Sequence, residues 1–184
     1  AFALARASGQ DPKLTANTAY CFADPVSPHL AARREGRAID SEPVLALLHR
    51  ELQTFEVVIA EGAGGLLVPL SDDLLYADVI AESGFGLVIV APDVLGAINA
   101  TLTTIESARL RSIPVLGVIL NRSGKTDWDN AGAISTHGRV PILGSFPESF
   151  DADDEMLASL AEKHLAIDEI LAIASRREQV EEAF

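Results

Sequence analysis

Four short apolar runs, separated by stretches with helical periodicity, constrain the fold of this chain more than any other feature. The runs occupy residues 57–60, 87–91, 115–120 and 140–144. Each is too short for a typical helix, and together they are rich in Val and Ile, which favour strands. Strands that alternate with helices form a parallel sheet with right-handed crossovers. We therefore predict an α/β fold in which helices cover both faces of a parallel sheet.

Helical periodicity is found between and after these runs. Apolar residues recur at helical spacing in residues 42–53, 97–111 and 153–184, and a shorter helix is predicted at 130–137. Aromatic residues make up only 5% of the chain, so Ala, Val, Ile and Leu fill the interior, as in other α/β proteins. No linker-like stretch divides the sequence. We predict a single domain over residues 1–184.

Composition limits the partners and the location. The net charge of −13 argues against binding to nucleic acid or to an anionic membrane surface, since both are themselves negative. Cys21 is the only cysteine, so no disulfide can form within the chain, which suits a reducing compartment. No apolar run approaches the roughly 20 residues that span a bilayer. We expect a cytoplasmic protein without nucleic-acid or membrane partners.

The first run ends on a carboxylate, Glu61, which is followed by Gly62, Ala63, Gly64 and Gly65. Ligands of open α/β sheets bind outside the carboxyl ends of the strands. A carboxylate there can hold Mg²⁺ beside phosphate groups, while small residues let a nucleotide approach the backbone. The alternative is a plain strand followed by a flexible turn. Because Gly and Ala follow the acid so densely, we favour a site for nucleotide and metal.

The segments that follow the second and third runs contain further candidates. Residues 95–99 begin a helix, whose N-terminal N–H groups suit a carboxylate or phosphate, although an ordinary strand-to-helix turn explains them equally well. Asn121 closes the third run, where its carboxamide can bind a nucleotide base, but taken alone an Asx-turn explains it better. Asp78 is a candidate ligand whose place near a helix start also fits compensation of the helix dipole.

Several segments together resemble the dethiobiotin synthetase family of biotin biosynthesis. They occur in the family's order and spacing, and together they cover most of the chain. The segments are FADPVSPH at 22–29, EGAGGLLVPL at 61–70, YAD at 76–78, LGAIN at 95–99, IPVLGVILN at 113–121 and VPILGSFP at 140–147.

The resemblance implies a P-loop NTPase-like fold and an ATP-dependent ligase that forms homodimers. Such an enzyme closes a ureido ring on 7,8-diaminopelargonic acid with CO₂ and Mg·ATP, giving dethiobiotin. It implies that Glu61 binds Mg²⁺. The implied ATP-binding residues are Glu61, Gly62, Ala63, Gly64, Asn121, Arg122, Pro147, Glu148, Ser149 and Asp154. The implied substrate-binding residues are Pro25, Leu95, Gly96, Ala97, Ile98 and Asn99, of which the last five serve the neighbouring subunit.

The sequence departs from the family at its phosphate-binding loop. No G-x-x-x-x-G-K-[ST] motif is found, and the only lysines, Lys13, Lys125 and Lys163, lie in no such motif. We expect a longer parent protein, with N-terminal strands and catalytic lysines upstream of Ala1, and no synthetase activity from these residues alone. Two alternatives stay open. One is a related P-loop amidotransferase or cobyrinate-type ligase, and the other is a non-catalytic remnant that binds nucleotide weakly or dimerises.

Overall fold

The structure, a computed structural model, describes Gly9 and residues 18–121, 129–149 and 151–175. The chain separates into two compact units, Ala1–Gly84 and Phe85–Phe184, which we name the N-terminal and C-terminal units. Each unit has its own cluster of buried apolar side chains. The organisation of residues 1–184 as a single domain stays a prediction.

The N-terminal unit packs three helices around a small core. The helices are α1 (Pro28–Arg34), α2 (Ser41–Leu52) and α3 (Tyr76–Ser83). Helix α3 ends at Gly84, whose φ of 68° is left-handed, a conformation that glycine adopts without a steric penalty. The buried residues of this core are Ala32, Ile39, Leu45, Leu70 and Val79. Tyr20, Phe22, Val44, Leu74 and Tyr76 pack against them.

The C-terminal unit is a parallel sheet with helical connections. Its strands lie in the order β1-β2-β3, and both pairs are parallel. The elements along the chain are β1 (Leu87–Pro92), α4 (Ala97–Leu110), β2 (Val115–Asn121), α5 (Asn130–Gly138), β3 (Ile142–Phe146), α6 (Asp154–His164) and α7 (Ile167–Ser175). This alternation confirms the predicted α/β class.

The core of the C-terminal unit forms where α4 and α5 meet β1 and β2. Its buried members are Ile89, Ala91, Ile105, Val118, Leu120, Ile134 and Val140. Burying an aliphatic side chain of this size stabilises a fold by about 1.5–3 kcal/mol. Helices α5 and α6 begin at acids, since Asp129 and Asp153 accept hydrogen bonds from the backbone N–H groups of Gly132 and Met156.

The predicted strand at 57–60 is wrong. These residues adopt no regular secondary structure, and Ile59 is 88% exposed. A strand needs a neighbour to satisfy its backbone N–H and C=O groups. Within the described part of the chain, no strand pairs with residues 57–60. Without that partner, the high strand propensity of Val and Ile does not suffice.

Two other boundaries differ from prediction. The strand predicted at 140–144 begins only at Ile142, because Pro141 has no N–H to donate to a ladder. The helical stretch predicted from residue 153 onward is broken after His164. There the N–H of Ala166 donates to the carbonyl of Leu143 at 2.7 Å, which ties the chain back to β3. In the described ranges, no helix combines the length and the apolar character needed to cross a membrane.

Candidate functional site

The carboxyl ends of the three strands meet at one edge of the C-terminal sheet. Asn121 is paired with Pro92 of β1 and with Phe146 of β3. The segment after β1 and the segment after β3 therefore leave the sheet on either side of Asn121. Ligands of open parallel sheets bind at such an edge.

The residues predicted to line an adenine pocket follow β3 directly. Pro147 and Ser149 are half-buried, and Glu148 is exposed. Their place beside Asn121 follows from the pairing of Asn121 with Phe146. Asp154 lies further along, as the first residue of α6. Arg122 lies outside the described residues.

The segment after β1 turns into α4 through Gly96, whose φ of 93° is left-handed. The N–H of Ala97 donates to the carbonyl of Val94 at 3.1 Å. The N–H of Ala100 donates to the carbonyl of Gly96, also at 3.1 Å. The first N–H groups of a helix have no partner within it. Those of Ile98 and Asn99 have no acceptor among the described residues, so this turn can bind an anionic group.

A groove of about 340 Å³ runs along β1 and the first turns of α4. Leu95, Gly96 and Ala97 lie on its wall, together with Thr101. Thr101 is only 2% exposed, and its Oγ1 has no hydrogen-bond partner in the described part of the chain. Buried hydroxyls are usually satisfied, so Thr101 is an exception beside this groove.

In the N-terminal unit, Tyr76 of α3 holds the glycine-rich loop. The N–H of Ala63 donates to Tyr76 Oη at 3.0 Å. A Cβ added at Gly62 would lie 3.2 Å from the Tyr76 ring, so the loop backbone lies close against that ring. Gly64 has a φ of 99°, and Glu61 is exposed at the start of the loop. The loop is therefore fixed from one side and open to solvent at its acid.

Among the predicted site residues of the N-terminal unit, one carboxylate, that of Glu61, could bind Mg²⁺. No group of three or more His, Cys, Asp or Glu side chains lies close enough to share an ion in the described ranges. Mg²⁺ keeps several waters and binds through one or two carboxylates together with substrate phosphates. Glu61 suits that role as an exposed acid beside small residues. Asp78 does not act as a free acid, because its Oδ2 accepts the N–H of Leu75 at 2.8 Å and so caps α3.

The loop that contains Pro25 is anchored to α1 and the residues after it. Asp24 forms an ion pair with Arg34 at 2.7 Å, and Glu35 Oε1 accepts the N–H of Ala23 at 2.8 Å. The guanidinium of Arg37 lies 4.8 Å from the centre of the Phe22 ring. These contacts flank Pro25, which is itself exposed and available to a ligand.

Comparison with known proteins identifies the family. The sequence profile of the AAA domain family matches residues 2–156. An ATP-dependent dethiobiotin synthetase BioD from Brucella ovis is 37% identical over 171 residues, which are 93% of this chain and 77% of that protein. The chain belongs to the dethiobiotin synthetase family. The resemblance predicted from six sequence segments is thereby confirmed.

Other dethiobiotin synthetases match shorter stretches. The protein from Chlorobaculum tepidum is 44% identical over 108 residues, which are 59% of this chain and 45% of that protein. The one from Bacillus velezensis is 35% identical over 154 residues, or 82% of this chain and 66% of that protein. The chain thus spans about half to two thirds of the length of these relatives. The P-loop NTPase-like fold class is confirmed, whereas the assigned site residues stay predictions.

Sequence reasoning missed three residues that lie near predicted site segments of the two units, each within its own unit. Tyr76 was noted only as part of a dethiobiotin synthetase motif, and its contact with the glycine loop joins residues 13 apart in the chain. Thr101 was not singled out, because nothing in the sequence indicates that its hydroxyl is buried. Asn130 was not singled out, because nothing local in the sequence indicates its buried partner, which lies 37 residues away.

Proposed function

We propose that this chain supplies nucleotide-binding and diamine-binding residues to an ATP-dependent dethiobiotin synthetase. The observation that carries the proposal is the pairing of Asn121 with both Pro92 and Phe146. Because of it, the segment predicted to line the adenine pocket leaves the sheet beside Asn121, and the segment predicted to bind substrate in the neighbouring subunit leaves from the same edge. Family membership supports the same reaction.

The reaction closes a ureido ring in three bond-forming steps. One amine of 7,8-diaminopelargonic acid adds to CO₂ and gives a carbamate. A carbamate oxygen then takes the γ-phosphoryl group of ATP, releasing ADP. The second amine attacks the carbamoyl carbon, phosphate leaves, and dethiobiotin is formed. The protein contributes chiefly by positioning the reactants and stabilising developing charge.

Each candidate residue has a defined role in this proposal. Asn121 binds the adenine edge through its carboxamide, and Pro147, Glu148 and Ser149 line the base pocket. Glu61 holds Mg²⁺, which neutralises the phosphate charge when bound, and Gly62, Ala63 and Gly64 let the phosphates approach the backbone. We further assign Arg122 and Asp154 to the nucleotide.

The diamine is bound by two other segments. The N–H groups at the start of α4, in the segment Leu95–Asn99, receive the substrate carboxylate, while Pro25 flanks the amines. We assign the Leu95–Asn99 segment to the neighbouring subunit of a homodimer, and the 84% exposure of Leu95 supports an intermolecular role. The exposed free thiol of Cys21 agrees with a cytoplasmic enzyme.

Calorimetric titration tests the proposal directly. Mg·ATP and 7,8-diaminopelargonic acid are titrated into residues 1–184 and into the protein extended by the coding sequence that precedes Ala1. We expect both ligands to bind, and phosphate to be released on addition of CO₂, only in the extended protein. Absence of binding and turnover from both proteins would overturn the proposal and favour a dimerising scaffold without catalysis. Mg·ATP turnover with another acid in place of the diamine would favour a cobyrinate-type ligase.

A variant pair then tests the metal ligand. Glu61→Gln in the extended protein is expected to lower Mg²⁺-dependent turnover by about 10²-fold or more, because a carboxamide is a weak ligand for a hard cation. Glu56→Gln is the control, since Glu56 is an exposed acid five positions earlier in the chain. Equal turnover by the two variants would remove Glu61 from the site.

A further inference from the structure

A buried carboxylate lies beside the candidate site without a role in the proposed chemistry. Asp93 follows β1 directly and is only 1% exposed. Its Oδ1 accepts a hydrogen bond from the side-chain amide of Asn130 at 2.6 Å. Asn130 is the first residue of α5 and is 4% exposed. The pair is thus enclosed within the C-terminal unit.

The contacts of this pair join three segments of the chain. The backbone N–H of Asp93 donates to the carbonyl of Asn121 at 2.8 Å, at the end of β2. The Asn130 amide also reaches the carbonyl of Val94 at 3.4 Å. Asp93 and Asn130 therefore fix the start of the segment 93–96 against both the end of β2 and the start of α5.

Stability alone is a weak reason to keep an acid at this position. Burying a charged group costs free energy unless hydrogen bonds compensate it, and apolar residues of similar volume often replace such groups without loss. A short hydrogen bond to a charged group does, however, define one geometry much more sharply than apolar contact does. The main effect of the Asp93–Asn130 pair is therefore to fix the position of the backbone at residues 93 and 94.

We propose that Asp93 and Asn130 are positioning residues for substrate binding, which hold residues 94–96 so that the first turn of α4 presents its N–H groups to the substrate carboxylate in one geometry. The inference rests on the proposed function, in which the first turn of α4 receives the substrate carboxylate. Neither side chain contacts the substrate. Asp93 acts through the backbone of the segment that follows it, and Asn130 acts through Asp93 and Val94.

The test uses reciprocal substitutions in the catalytically active, extended protein. Asn130→Asp places two carboxylates in contact, and it is expected to raise KM for the diamine about tenfold or more. The kcat and the KM for ATP are expected to change less than about threefold, because the reacting groups are untouched. Asp93→Asn combined with Asn130→Asp restores one carboxylate and one amide and is expected to recover most of the lost diamine affinity.

Two measurements separate positioning from general destabilisation. Ser135→Ala is the control, because Ser135 lies in the same helix as Asn130 and its Oγ donates to the carbonyl of Val140, beyond the end of that helix, at 3.1 Å. It is expected to lower the melting temperature without changing KM for the diamine. If Asn130→Asp does not fold, the nearly isosteric Asp93→Leu, which has no acceptor for the Asn130 amide, replaces it, with an expected rise in KM of about threefold to tenfold.

The results distinguish this inference from the proposed function. Unchanged KM for the diamine in the folded Asn130→Asp or Asp93→Leu variant would overturn the positioning role, and so would an equal rise in Ser135→Ala. Failure of the reciprocal variant to improve on Asn130→Asp would overturn it as well. If the unsubstituted extended protein does not convert the diamine, it is the proposed function that fails.

Discussion

Residues 57–65 and 87–97 have nearly the same pattern, yet they fold differently. Both begin with a run of Val and Ile, and both reach a glycine with a left-handed φ, 99° at Gly64 and 93° at Gly96. In the C-terminal unit the run becomes β1, with Ile89 only 8% exposed. In the N-terminal unit it has no regular structure, and Ile59 is 88% exposed.

The difference shows that a strand is decided by its neighbour as much as by its residues. β1 pairs with β2 from Leu87 to Pro92, which satisfies one side of its backbone and buries alternate side chains under α4. Residues 57–60 have no such partner among the described residues. Equal propensity thus gives a buried strand in one unit and an exposed segment in the other.

The largest effect is expected in the paired sheet. Leu120→Ala removes a fully buried side chain from the carboxyl end of β2, the central strand, and should lower the free energy of unfolding by about 2–5 kcal/mol. Leu110→Ala, at an exposed position of α4, should change it by less than about 0.5 kcal/mol. Urea denaturation followed by circular dichroism measures both. A loss below about 1 kcal/mol for Leu120→Ala would contradict the packing described for this unit.

The two left-handed glycines give the next largest effect. Alanine at either position is strained by about 1–3 kcal/mol because of its φ. At Gly64 the added Cβ would also lie 2.9 Å from Val68 Cγ2, whereas at Gly96 it meets nothing within 4 Å. Gly64→Ala is therefore expected to be the more destabilising of the two in the same denaturation assay. The reverse order would mean that the backbone around Gly64 adjusts to an added Cβ more readily than the backbone around Gly96.

A smaller effect is expected from the hydrogen bond that holds the glycine loop. Tyr76→Phe leaves the N–H of Ala63 without its acceptor and should cost about 0.5–1.5 kcal/mol of stability. Tyr20→Phe removes a matched bond, from the N–H of Asp40 to Tyr20 Oη at 3.1 Å. Only Tyr76→Phe should also weaken Mg·ATP binding to the extended protein, as measured by calorimetry. Equal nucleotide affinity in the two variants would separate Tyr76 from the binding loop.

The smallest effect is expected at the unpaired run itself. Ile59→Ala should change the stability of residues 1–184 by less than about 0.5 kcal/mol, because the side chain is already in solvent. The same substitution in the extended protein is the informative comparison. A cost above about 1 kcal/mol there would mean that added residues pair with the run and bury Ile59. An unchanged small cost would mean that the segment is a loop in both proteins.

Local patterns predicted much of the C-terminal unit. The Val and Ile runs predicted β1 and β2, and helical spacing predicted α4 to within one residue at its C-terminal end. The strand ends predicted the edge of the sheet at which ligands of such folds bind, whereas the assigned site residues stay predictions. The buried hydrogen bond that fixes the segment after β1 at this edge was not predictable. Asp93 and Asn130 are 37 residues apart, and no spacing rule connects them.

Labelling Cys21 would allow the conformation of the loop that contains Pro25 to be followed by fluorescence. It is the only cysteine of the chain, and its thiol is exposed. Its own carbonyl accepts from Arg37 Nη1 at 3.0 Å, so the backbone that carries the thiol is tied to the residues after α1. A maleimide fluorophore would attach at this one position without engineered substitutions. In the extended protein, where we expect the ligands to bind, its emission would report in real time whether they rearrange the loop or find it already in place.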